Sequence, residues 1–142
     1  VLAESLLARA ARIFGWAVRL RCPRCGATLL FAGPPPSPEP VGLLRRGLRP
    51  FTGWFVMESQ CLLCGLRYER AQGYFVGAIY INYAVTASIA LGGYFLLRAW
   101  ADLSTGAQLA IWVPFLLVFP LWFFRWSRSL WLGLMYFLSP DA

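Results

Sequence analysis

At 142 residues, 59% of them hydrophobic and 13% charged, with a mean hydropathy of +0.60, the chain carries more apolar surface than one soluble domain of its length can bury. Its net charge of +7 rests entirely on Arg, and the lack of His and Lys removes imidazole acid–base chemistry, His-activated nucleophiles and Schiff-base lysines. Neither long apolar run holds a carboxylate, which disfavours a proton relay or intramembrane ion site, so a small, non-catalytic membrane protein is expected, with no small-molecule substrate.

Residues 1–20 have the period of an amphipathic helix. Ser5, Arg9, Arg12 and Arg19 share one side, and Leu6, Leu7, Ala10, Ile13, Phe14, Ala17 and Val18 fill the other. Two settings suit such a helix, the headgroup layer of a bilayer or the surface of another helix.

Residues 21–70 read as a small zinc-ribbon domain with short β-strands. Cys22-Pro23-Arg24-Cys25-Gly26 and Cys61-Leu62-Leu63-Cys64-Gly65 are two C-x2-C turns, thirty-five residues apart, each followed by a Gly that permits a left-handed backbone. Four thiolates in that pattern make a tetrahedral site for structural zinc, and the same geometry suits a rubredoxin-like iron. Ala27 to Phe31 and Trp54 to Ser59 read as the strands that leave and re-enter the turns. Between them, residues 33–50 form a Pro/Arg-rich insertion in which Val41 to Arg49 suggests a helical turn or two. Arg21, Arg24, Arg45, Arg46, Arg49 and Arg67 compose a basic patch, read as solvated or headgroup-facing, with nucleic-acid binding as the sharper alternative.

A first transmembrane helix is expected over 71–98, uncharged from Ala71 to Leu97. Ala84, Ser88 and Gly92 recur every fourth residue as a strip of small side chains, and Tyr80, Asn82, Tyr83 and Thr86 add polar groups. Both sets suit either a partner subunit or the chain's own second helix. A periplasmic turn over 99–108 precedes a second span over 109–124, kinked at Pro114, with Pro120 marking its end or a second bend. Residues 125–142 read as a cytoplasmic interfacial segment, with a C-terminal helix from Ser129 to Leu138 too short to cross again. Arg67, Arg70, Arg125 and Arg128 flank the same ends of the two spans. The positive-inside rule then places both termini and the Cys domain on the cytoplasmic side of a two-pass protein in a bacterial inner membrane.

The order of these parts resembles the bacterial membrane proteins grouped as domain of unknown function 983. The resemblance is carried by Arg21-Cys22-Pro23-Arg24-Cys25-Gly26, Gly53-Trp54-Phe55 with Met57, Cys61-Leu62-Leu63-Cys64-Gly65-Leu66-Arg67-Tyr68, and the run from Gly73 to Tyr83. It implies a cytoplasmic zinc ribbon followed by two transmembrane helices, with no assigned activity. Family members often lie near cytochrome oxidase genes, which implies a role beside a respiratory complex. The insertion between the Cys pairs departs from the family's short link. On this reading the chain is an accessory or assembly subunit of an energy-converting complex, respiratory or photosynthetic, whose partners are other membrane subunits and lipid. An iron-bearing electron carrier and a membrane-tethered nucleic-acid ribbon are the alternatives.

Overall fold

The structure is a computed structural model and describes residues 5–31, 54–101 and 103–140. The insertion over 33–50, with Arg45, Arg46 and Arg49, lies outside the described residues.

Helix α1 runs Leu6–Val18 and is capped by Ser5, whose hydroxyl accepts from the Ala8 N–H at 3.2 Å. It ends in a Schellman turn. Arg21 N–H donates to Trp16 O at 2.9 Å and Leu20 N–H to Ala17 O at 3.0 Å, with Leu20 at φ 56 where glycine usually stands. That reversal aims the chain at once into the first Cys turn.

Helix α2 spans Val76–Trp100 and helix α3 spans Thr105–Leu138, with Ser104 capping α3 through its hydroxyl. Both are long and apolar enough to cross a membrane, and only 11% and 6% of their most apolar windows is buried. A core helix of a soluble protein would be mostly covered, so these faces call for lipid or other helices. The connection is shorter than the 99–108 turn expected from sequence, because both helices extend into it.

The two helices are antiparallel, and glycines set their spacing. A Cβ at Gly77 would lie 2.2 Å from the Trp131 ring, and one at Gly93 2.2 Å from the Trp112 ring. Only hydrogen fits at either place. Midway, Asn82 donates from Nδ2 to Pro120 O at 2.9 Å, while the Thr86 hydroxyl, donating to Asn82 O at 2.7 Å, sits beside its amide.

The separate C-terminal interfacial helix is not found. Residues 129–138 continue α3, which is 34 residues long with Pro114 and Pro120 inside it. At ~1.5 Å per residue it measures roughly 51 Å, against roughly 30 Å of hydrocarbon, so it overshoots a bilayer by several turns. Two things carry it past the expected stop. Asn82 and Trp54 Nε1 donate to the carbonyls of Pro120 and Leu121, which engages the backbone around the proline. Beyond Arg125, Leu132 and Gly133 are buried against the rest of the chain, and packing outweighs local stop signals.

Helix α1 lies on that overshooting part. Ser129 Oγ donates to Ala17 O at 2.7 Å, and a Cβ on Gly133 would touch Ala17 Cβ at 3.1 Å. Of the two settings for the amphipathic helix, the second is thus occupied, by the chain's own α3, although Leu6, Leu7 and Val18 stay exposed. The Cys domain packs on the neighbouring side of α3, with Gly26 of its first turn against the Trp16 ring of α1. Its core joins Leu30, Phe31, Leu66 and Tyr68 to Leu132 of α3.

The expected strands reduce to single antiparallel bridges, Arg21 with Leu29 and Gln60 with Arg67, and no longer strand occurs among the described residues. Each Cys turn is a tight hairpin closed by one bridge. The two arms meet where Glu58 N–H donates to Leu30 O at 3.0 Å. Packing against α3 supplies order that strands would otherwise provide.

Candidate metal centre

The two C-x2-C turns face each other and bring all four sulfurs within 4.8 Å of one another. Cys22 and Cys25 enter straight from the Schellman turn, while Cys61 and Cys64 come from the second hairpin. Gly26 and Gly65 sit at φ 67 and 69, and their N–H groups donate to Cys22 O and Cys61 O at 2.8 and 3.0 Å. A side chain at either would strain the turn that holds the preceding pair.

Two close sulfur contacts run between the turns. Cys22 Sγ lies 3.7 Å from Cys64 Sγ, and Cys25 Sγ 3.6 Å from Cys61 Sγ. A disulfide needs about 2.05 Å, so all four thiols are free. A tetrahedron with ~2.3 Å metal–sulfur bonds has edges of about 3.8 Å. These two separations match such edges, and with all four sulfurs within 4.8 Å of one another Cys22, Cys25, Cys61 and Cys64 could hold one ion between them. Bound there, a metal would cross-link the two hairpins and supply the folding free energy that the missing strands do not.

Neighbouring groups prepare the sulfurs for that role. Burial works against the Cys61 thiolate, but the Thr28 hydroxyl at 3.0 Å and the N–H groups of Cys64 and Leu63 outweigh it and pull its pKa down to about 5. Cys22 goes the other way, up to about 12, chiefly because burial disfavours its charge, and burial also raises Cys64. Without metal the quartet therefore holds a thiolate beside protonated thiols, and metal uptake must displace protons. Behind Cys61, the Tyr68 hydroxyl lies 3.3 Å from Thr28 Oγ1 in a side chain only 1% exposed. Thr28 and Tyr68 form the outer layer that orients a ligand.

The chain also matches the profile of one sequence family. That profile, described as protein of unknown function (DUF983), matches residues 51–136, more than half of the chain. The chain belongs to DUF983. No curated protein and no solved structure matches it. The matched segment holds Cys61, Cys64, α2 and nearly all of α3; Cys22 and Cys25 lie before it, across the insertion. In this DUF983 chain the structure closes that gap in space.

The remaining residues singled out from sequence divide clearly. Arg21 donates to Gly26 O and Ala27 O at 3.1 and 3.4 Å, bracing the first hairpin, while Arg24 and Arg67 are exposed. Arg45, Arg46 and Arg49 fall outside the described residues. On α2, Asn82 and Thr86 turn inward to α3, whereas Tyr80, Tyr83, Ala84, Ser88 and Gly92 face out, and a Cβ on Gly92 would meet nothing within 4 Å. The small strip is therefore not the contact with the chain's own second helix.

Arg125 of this DUF983 chain was foreseen only as a topological stop. It is also the clamp between domain and helix. Its guanidinium lies 4.7 Å from the Phe31 ring centroid and 4.6 Å from that of Trp54, and Nη2 donates to Phe31 O at 3.1 Å. Thr28, Tyr68 and Leu132 were likewise missed. The spacing of Ser129 with Gly133 and of Leu132 with Tyr136 does mark two contact stripes on one helix, one toward α1 and one toward the Cys domain.

Proposed function

We propose that this protein is a non-catalytic accessory or assembly subunit of an energy-converting complex in a bacterial inner membrane, docked through its helix hairpin and braced by a structural zinc ribbon. One observation carries the reading. The Ala84, Ser88 and Gly92 strip of α2 is exposed, and open space lies over Gly92, while Gly77 and Gly93 are filled by tryptophans of α3. A smooth strip within a span favours close approach by a further helix. The rigid fastening of ribbon to α3 supports the same role, because it presents the aqueous domain at a set angle to any partner of the hairpin.

Zinc is the metal this reading places in the quartet, with both termini and the ribbon cytoplasmic. Arg67, Arg70, Arg125 and Arg128 at the ribbon end, against Arg98 at the other, support that orientation. The gene neighbourhood implied by the family resemblance favours a respiratory oxidase over a photosynthetic complex.

The test is to dissolve native membranes in mild detergent and identify what stays with the chain, for wild type and Gly92→Leu. A partner polypeptide at constant stoichiometry is expected with wild type and lost with the variant, whose zinc content stays whole. A wild-type chain that migrates alone would overturn the proposal. Metal analysis of the same sample decides zinc against iron, since a ferric four-sulfur site is coloured and a zinc site is not.

A further inference from the structure

Between α2 and α3, towards the ribbon end, lies a groove of about 720 Å³. Ile79 and Tyr83 on one wall and Leu116, Leu117 and Leu121 on the other are exposed, so the groove opens toward the helices' surroundings. Its floor offers little polarity, because the Asn82 amide is spent on Pro120 O and on Thr86. From Arg128 to Leu116 the groove runs twelve residues of α3, roughly 18 Å, close to the roughly 15 Å depth of one leaflet. Within a bilayer such a space is filled by a lipid chain or by another protein.

The mouth distinguishes the two. Glu69 and Arg128 line it together, one anionic and one cationic. Arg128 spends the face of its guanidinium on the Phe75 and Phe124 rings, 4.7 and 4.5 Å away, which leaves its N–H edge for an acceptor in the plane. A guanidinium edge suits a phosphate, and a carboxylate beside it suits an ammonium with hydrogens to donate.

We propose that this groove is a binding site for one aminophospholipid, its phosphate on Arg128, its primary ammonium on Glu69 and an acyl chain against Leu116, Leu117 and Leu121. The site goes beyond the subunit role but rests on the membrane placement in that reading. A trimethylated ammonium cannot donate to Glu69, and a glycerol headgroup has no cation for it. Selectivity should therefore be for phosphatidylethanolamine over both phosphatidylcholine and phosphatidylglycerol.

The full chain, delipidated in detergent, would be offered an equal mixture of the three lipids with identical acyl chains and examined by native mass spectrometry. One bound lipid is expected, with phosphatidylethanolamine favoured roughly 10- to 100-fold, the worth of one charge-assisted hydrogen bond. Glu69→Gln should abolish the preference over phosphatidylcholine while lipid still binds, and Arg128→Gln should lower retention of all three. Metal content reports whether either variant remains folded. Equal retention of the three lipids by wild type would overturn the site, as would a stoichiometric polypeptide displacing all lipid. An alkaline carbonate wash separates the two proposals. A chain washed from membranes would sink the membrane placement, whereas one that stays but shows no headgroup preference sinks the lipid site alone.

Discussion

Replacing Arg125 by Met tests how the Cys domain is held on α3. The guanidinium makes one charge-assisted hydrogen bond to Phe31 O and lies over two rings, Phe31 and Trp54. Such a bond contributes about 2 kcal/mol and each ring contact roughly 0.5–1 kcal/mol. Its Nε is buried with no acceptor, which offsets about 1 kcal/mol of that sum. Methionine retains most of the apolar stem, so the net loss is on the order of 2–3 kcal/mol, roughly 30- to 150-fold in the ratio of docked to undocked domain. The reporter is Leu132, which lies under the domain at 0% exposure. In hydroxyl-radical footprinting of the zinc-loaded protein, Leu132 labelling should rise by one to two orders of magnitude while metal content stays unchanged. Arg125→Lys keeps the charge but loses the planar fork and should fall between. A rise below threefold in Arg125→Met, with metal retained, would show that Arg125 is not the clamp and that Leu30, Phe31 and Leu132 hold the domain alone.

Cys61→Ser should lose the metal and the order of both hairpins while the helices still insert; full metal content in that variant would remove the quartet as a site. Thr28→Val withdraws the hydroxyl donor from Cys61, and chelator competition should show metal affinity lower by roughly 10- to 100-fold. Metal uptake should release at least two protons at pH 7, from Cys22 and Cys64, whose pKa values burial raises. Affinity then climbs with pH and is lost on acidification, and a weakly buffered zinc titration that releases no acid would contradict this. The neighbouring glycines of α2 should part company in detergent unfolding. Gly93→Ala drives a methyl into Trp112 and costs about 1–3 kcal/mol, whereas Gly92→Ala meets nothing and gains up to about 1 kcal/mol of helix propensity.

The metal quartet was legible because chemistry of this kind is written locally. A C-x2-C turn needs two thiols and a following Gly, and Gly26 and Gly65 adopt the left-handed backbone that pattern foretells. That the two turns come together was also readable, because two C-x2-C pairs suit one shared site and all four sulfurs do converge. The helices were visible as uncharged runs bracketed by Arg. Their exposure was harder to read. Nothing in the periodicity of α2 says that Asn82 faces inward while Tyr83, one residue on, faces out, because a helix apolar on all sides carries no stripe to orient it.

The misreading of 125–138 has a single physical cause. Pro120, Arg125 and Arg128 are stop signals when judged one at a time, since proline removes a helix hydrogen bond and a guanidinium resists burial in lipid. Here the helix around Pro120 and the Arg125 guanidinium each make a contact with a residue distant in sequence. Asn82 lies 38 positions from Pro120, and Phe31 lies 94 from Arg125. A window of local sequence contains neither. Once those partners are in place, ending the helix would expose Leu132 and break the contact of Gly133 with Ala17, so continuing is the lower free energy. The same reasoning makes α3 the common element of the molecule. It pairs with α2 from Trp112 as far as Trp131, and its last third is also the floor of the Cys domain and the bed of α1. The ribbon and the Asn82–Pro120 tie therefore sit on one continuous helix.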